Sequence, residues 1–153
     1  MPPTTLGALL TLLLSVAAVA APPEACGVVT VAEINTIADG SVEKIQPRKS
    51  GNPTECAFLD SRKAAVVVVG IREVQYAGEN ELQYERENLE KIYRTKAKWL
   101  VPPIGDNAFW LGATKQLMFR KGKTLVSVTF ARLKNQNEVD TGQLARLIES
   151  RLK

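Results

Sequence analysis

The sequence predicts an α+β fold: an antiparallel sheet of about six strands packed by three helices, in the order α-β-β-β-α-β-β-β-α. Three observations predict it. Ala64-Ala65-Val66-Val67-Val68-Val69 is a β-branched run without alternation, the pattern of a central strand covered on both faces. Val126, Val128 and Phe130 alternate with Ser127 and Thr129, the period of a strand with one inward face. Three other segments open on helix-start signals and carry apolar residues at helical spacing.

Residues 1–20 contain no Asp, Glu, Lys or Arg, and the apolar run over 6–19 is broken only by Gly7, Thr11 and Ser15. A membrane-spanning helix needs about 20 apolar residues, so this run is short. It closes on Ala18-Val19-Ala20, the small-x-small pattern that a signal peptidase accepts. The expectation is a cleavable secretory signal peptide over residues 1–20 and one domain over residues 21–153. An uncleaved anchor helix is the competing reading. A lipid anchor at Cys26 is set aside, because Pro23-Glu24-Ala25 precede that cysteine in place of a lipobox. No later stretch is apolar for long enough to span a membrane.

Export places the chain in an oxidising compartment, and Cys26 and Cys56 are its only cysteines. An even number of thiols is normally paired there. There is no Cys-x-x-Cys, and a zinc site would need four ligands from a chain with no histidine. The two cysteines are therefore expected to form a structural disulfide.

Thr30-Val31-Ala32-Glu33 reads as a capping box, opening a helix that runs to about Ala38 and stops at Gly40. Residues 41–46 read as a first strand and 47–53, with two prolines and a glycine, as a loop. Residues 54–59 and 64–74 form a hairpin around Asp60-Ser61-Arg62-Lys63. A long helix is expected over 80–98, capped by Asn80 with Gln83, with Leu82, Leu89, Ile92 and Tyr93 as its apolar stripe. Its acidic first half and basic second half complement the helix dipole, with Glu87–Lys91 and Glu90–Arg94 as side-chain pairs. After the Pro102-Pro103 turn come strands over 108–111, 115–120 and 124–132, the last two joined by Lys121-Gly122. Asp140 caps the final helix, which buries Leu144, Leu147, Ile148 and Leu152.

Cys26 ahead of a Thr-x-x-Glu helix start, Cys56 in an early strand, Pro102-Pro103-Ile104-Gly105-Asp106-Asn107-Ala108-Phe109-Trp110, and Leu117-Met118-Phe119-Arg120-Lys121-Gly122 carry a resemblance. With these residues the chain resembles small secreted bacterial proteins of uncharacterised function, relatives of cysteine-containing envelope lipoproteins, and departs from the latter by lacking a lipobox. Its element order also resembles PsbP-like sandwiches. That topological resemblance implies a non-enzymatic accessory or binding role and transfers no site residue.

The absence of histidine removes the commonest general base and metal ligand, and with it every Ser-His-Asp or Cys-His arrangement. There is no Gly-x-Ser-x-Gly elbow and no phosphate-binding glycine loop. No catalytic residue, cofactor or metal is expected. Glu85, Glu87 and Glu90 read as a solvated helix face, and a carboxylate-based hydrolase is the least favoured function. Asp106 reads as a turn residue. The net charge of +4 is mild and unconcentrated, and Arg94, Lys96, Lys98 and Trp99 read as a helix terminus, so no nucleic acid is expected.

What remains is binding. Phe109 and Trp110 face opposite ways on a strand. If Trp110 is the exposed one, it adjoins Arg120, Lys121 and Lys123, a protein-contact patch of an aromatic beside basic residues; otherwise it covers the outer end of the core. The expected function is a periplasmic or secreted non-catalytic module acting on a protein or cell-envelope partner. The alternative is a small-ligand carrier with a pocket between the sheet and the long helix.

Overall fold

The structure, a computed structural model, describes residues 24–38, 41–75, 80–131 and 138–153. The expected signal peptide over residues 1–20 and the helix stop at Gly40 lie outside the described residues. The order is α1 (Val31–Ile37), β1 (Lys44–Lys49), β2 (Thr54–Leu59), β3 (Ala65–Glu73), α2 (Asn80–Tyr93), β4 (Lys98–Trp99), β5 (Asn107–Leu111), β6 (Gln116–Lys121), β7 (Thr124–Phe130) and α3 (Glu138–Glu149). The class and the order α-β-β-β-α-β-β-β-α are as the sequence predicts, with β4 as an additional short strand. All strands lie in one antiparallel sheet ordered β1-β2-β3-β7-β6-β5-β4. The pairing of β3 with β7, from Val67 opposite Phe130 to Glu73 opposite Thr124, joins the two halves at the sheet's centre.

The sheet has unequal faces. On one, Val67, Val69 and Ile71 of β3 and Val126, Val128 and Phe130 of β7 meet Ile34 of α1 and Leu144, Ala145 and Ile148 of α3. On the other, Leu82 of α2 packs with Phe109, Leu111, Met118 and Leu125, joined by the half-buried Leu89 and Trp99. The central strand is thus covered fully on one side only: Val68 and Arg72, which point to the α2 side, are half-buried.

Several expected boundaries move, each for a local reason. The first strand runs over Lys44–Lys49 and passes through Pro47. At a sheet edge Pro47 needs no ladder N–H, and the register shifts between Pro47 and Lys49. Val42 is instead held by Asn35, whose amide donates to its carbonyl and whose Oδ1 accepts its N–H, both at 2.8 Å. Helix α2 stops at Tyr93, not 98. Arg94 adopts a positive φ of 50°, and the Glu90 carboxylate accepts from the Ala97 N–H at 2.9 Å and from Lys96 Nζ at 3.2 Å. Glu90 pairs with Arg86 and Lys96, not with Arg94, and Glu87 accepts from Gln83. With the helix ended early, Ile92 and Tyr93 are 68% and 48% exposed and do not extend the buried stripe. Asn80 is the first residue of α2, and Asp140 lies inside the first turn of α3. The β6–β7 turn is Gly122-Lys123, since Lys121 stands opposite Thr124.

Two ties fix the leading segment. Cys26 and Cys56 form the expected disulfide, with Cα atoms 5.1 Å apart, and the Ala25 N–H donates to Thr54 Oγ1 at 3.0 Å. The expected capping box is present: the Glu33 N–H donates to Thr30 Oγ1 at 3.3 Å, and the Thr30 N–H donates to Glu33 Oε2 at 2.9 Å. Arg151, beyond α3, adds a clamp by donating to the Val28 carbonyl at 2.6 Å and to both oxygens of Glu33. The Arg151 hydrogen bond, then the Thr30 amide, lower the Glu33 carboxyl from 4.5 to about 2.

The sign follows from linkage. A depressed carboxyl contributes stability that is fully present above its unfolded value of 4.5 and is lost as pH falls through about 2. The thermal midpoint of the wild type is therefore expected to exceed that of Glu33→Gln near neutrality, with the gap closing between those two pH values. A gap independent of pH across that window would show that the Glu33 charge contributes nothing.

Candidate functional site

The four residues expected to contact a partner do not form one surface. Trp110 lies on the α1/α3 face of β5, half-buried against the larger core. Arg120 points to the opposite face and is 7% exposed. Its Nη1 donates to the Gly122 carbonyl at 2.9 Å and pairs with Asp106 at 3.2 Å. Lys121 returns to the α3 face, where its Nζ donates to the Glu149 carbonyl at 2.9 Å and pairs with the Glu149 carboxylate at 3.0 Å. A cation at that place complements the C-terminal end of a helix. Lys123, in the turn, is the one of the four that is exposed. Period-two alternation separates Arg120 from Lys121, and both side chains are committed within the fold.

Asp106 is a structural residue. Its N–H donates to the Arg120 carbonyl at 2.7 Å, and its Oδ2 accepts from the Gly122 N–H at 2.8 Å. The segment leading into β5 is thereby fastened to the β6–β7 turn.

The cleft between α2 and the sheet measures about 180 Å³ and is lined by Glu55, Gly70, Arg72, Glu85, Met118 and Ser127, among others. Ligand pockets for drug-sized molecules start at roughly 300 Å³, so this cleft does not meet the requirement of the carrier reading. Its acidic groups are engaged in part: Arg72 pairs with Glu85 at 2.7 Å and with Glu81 at 3.3 Å. No group of three or more His, Cys, Asp or Glu that could hold a metal occurs among the described residues.

A candidate site outside the sequence expectations lies at the other end of the sheet. A groove of about 410 Å³ runs between α3 and the β4–β5 connection. Leu100 and Ile104, both buried, form its floor. Val101, 92% exposed, and Val139, 71% exposed, stand on its two sides. Gly142 widens it: a Cβ at that position would meet nothing within 4 Å. At the rim, Glu138 is neutralised by Lys98, whose Nζ reaches its two oxygens at 2.9 and 3.0 Å. Arg146, on the same helix face as Val139 and Gly142, is exposed and has no ion-pair partner among the described residues.

Two signals for this groove stand in the sequence. A glycine inside a helix costs about 1 kcal/mol relative to alanine, and Gly142 is the fifth residue of α3. Val139 lies three residues before it, off the buried stripe.

No helix among the described residues is long and apolar enough to cross a membrane. The chain matches no protein-family model and no curated protein.

Proposed function

We propose that the chain is an exported, non-catalytic binding module that docks a protein or cell-envelope partner through the groove between α3 and β4. The observation that carries this reading is the exposure of Val101 and Val139 on either side of an apolar floor. A concave apolar floor with a few polar groups at its rim is the usual form of a binding site, and charged side chains flank this one. Export is supported by the apolar leader over residues 1–20 and by the Cys26–Cys56 disulfide. The accessory role implied by the resemblance to PsbP-like sandwiches points the same way.

Gly142→Ala separates docking from folding. The substitution fits open space and removes unfolded-state freedom, so it is expected to stabilise the protein by about 0.4–1 kcal/mol. It also narrows the groove. A photo-crosslinking amino acid at Val139 is expected to capture one defined partner in the native host, and capture is expected to fall when Gly142→Ala is added. The same crosslinker at Lys123 serves as the comparison. Capture at Lys123 but not at Val139 would move the contact to the β6–β7 turn and overturn this assignment.

A further inference from the structure

Among the described residues, the strand that borders the groove leaves its outer edge open. In the antiparallel pair of β4 and β5, Lys98 stands opposite Trp110 and Trp99 opposite Phe109, and the Leu100 N–H donates to the Ala108 carbonyl at 2.9 Å. Hydrogen-bonded and non-hydrogen-bonded pairs alternate along such a ladder. The Leu100–Ala108 pair is bonded, so the Trp99–Phe109 pair is not, and the N–H and C=O of Trp99 point away from β5. No strand lies beyond β4 among the described residues.

The edge is held in position. The Trp99 ring packs edge-on against Phe109, with centroids 5.9 Å apart, and the Arg86 guanidinium lies 4.9 Å above it. Lys98 and Leu100 turn to the other face, toward α3: one bonds Glu138 and the other floors the groove. The opposite edge of the sheet differs. There β1 presents Lys44, Arg48 and Lys49 around Pro47, with a register shift, and charge, proline and bulges all discourage strand addition; β4 is two residues long, which limits an added ladder to the Trp99 N–H and C=O.

From this arrangement, and resting on the groove being the docking site, we propose that the partner enters as an extended segment that adds a strand to the free edge of β4. Main-chain hydrogen bonds to Trp99 hold it. Every second side chain points to the α3 face, where Leu100, Ile104 and Val139 require it to be apolar. A carboxylate on the segment meets Arg146, the rim cation that lacks one, while Glu138 is already matched by Lys98. Strand addition of this kind draws affinity from backbone bonds and specificity from pockets for alternate side chains, and arginine pairs with carboxylate through two parallel bonds.

The test uses the disulfide-bonded protein and a displayed library of random short peptides. Enriched peptides are expected to alternate apolar residues and to carry Asp or Glu. Their binding is expected to weaken about tenfold or more with Val139→Asp and with Arg146→Glu, both exposed positions. N-methylation of the one peptide amide that donates to the Trp99 carbonyl is expected to weaken binding about tenfold, with the neighbouring amides tolerant. Peptides that need Val139 but show helical spacing, or that tolerate N-methylation throughout, would overturn strand addition and leave the groove as the docking site. Absence of enrichment, or binding indifferent to Val139→Asp, would overturn both.

Discussion

Replacing both cysteines, as Cys26→Ala with Cys56→Ala, is expected to destabilise the protein by about 3.5 kcal/mol. The two residues are 30 apart in sequence. In the chain-entropy model, cross-linking a loop of that length removes freedom from the unfolded chain worth roughly that amount. For a domain whose total stability is on the order of 5–15 kcal/mol, the loss is a large fraction. The folded state would keep other fastenings of the leading segment: the Ala25–Thr54 bond, the packing of Val28 and Val29, and the Arg151 clamp on Val28 and Glu33. The variant is therefore expected to fold, with a lower denaturant midpoint and a somewhat steeper slope, because the unfolded chain is freed to expand. Native protein is expected to resist thiol alkylation until reduced. Equal midpoints for the wild type with and without reductant would refute a stabilising role for the tie.

The parts of the fold legible in the sequence are those set by local chemistry. Thr30 and Glu33 specify a helix start within four residues, and Val126, Val128 and Phe130 specify a face by alternation; both stand as expected. The even cysteine count specified the disulfide. Boundaries set by a single side chain reaching across a turn were not legible. Nothing in the period of residues 80–98 announces that the Glu90 carboxylate bonds the Ala97 N–H and ends α2 early. The consequence is large for the site, because Lys98 and Trp99 leave the helix to become the edge strand β4.

The candidate site was illegible for a related reason. Arg120, Lys121 and Lys123 are neighbours in sequence beside a turn, and adjacency reads as a patch. Strand alternation divides them, while Asp106 and Glu149, distant in sequence, engage two of them. The groove assembles residues some forty positions apart, as the Lys98–Glu138 bond shows. Only the three-dimensional fold sets Val101 and Val139 on the two sides of one groove. The individual anomalies of Gly142 inside a helix and Val139 off its stripe carry no location by themselves.

The second large effect is expected at Gly105. Gly105→Ala is expected to destabilise the protein by roughly 2–5 kcal/mol, the sum of two terms. The residue has φ +62°, and a left-handed conformation costs a side-chain-bearing residue roughly 1–2 kcal/mol. In addition, a Cβ there would lie 2.3 Å from the Arg120 carbonyl oxygen, so the backbone of β6 or of the connection must shift, and overpacking of this kind costs about 1–3 kcal/mol. Gly122→Ala isolates the first term, because Gly122 has φ +56° with nothing within 4 Å of its Cβ; its expected cost is about 1–2 kcal/mol. Equilibrium denaturation of the two variants measures the difference, and equal costs would show that the close approach to Arg120 is relieved without penalty. The shift also reaches the groove. Ile104, part of its floor, precedes Gly105 directly, and the Asp106 N–H bond to the Arg120 carbonyl holds the same turn against β6. Gly105→Ala is thus expected to weaken partner capture at Val139 even under conditions where the variant remains folded, whereas Gly122→Ala leaves capture intact.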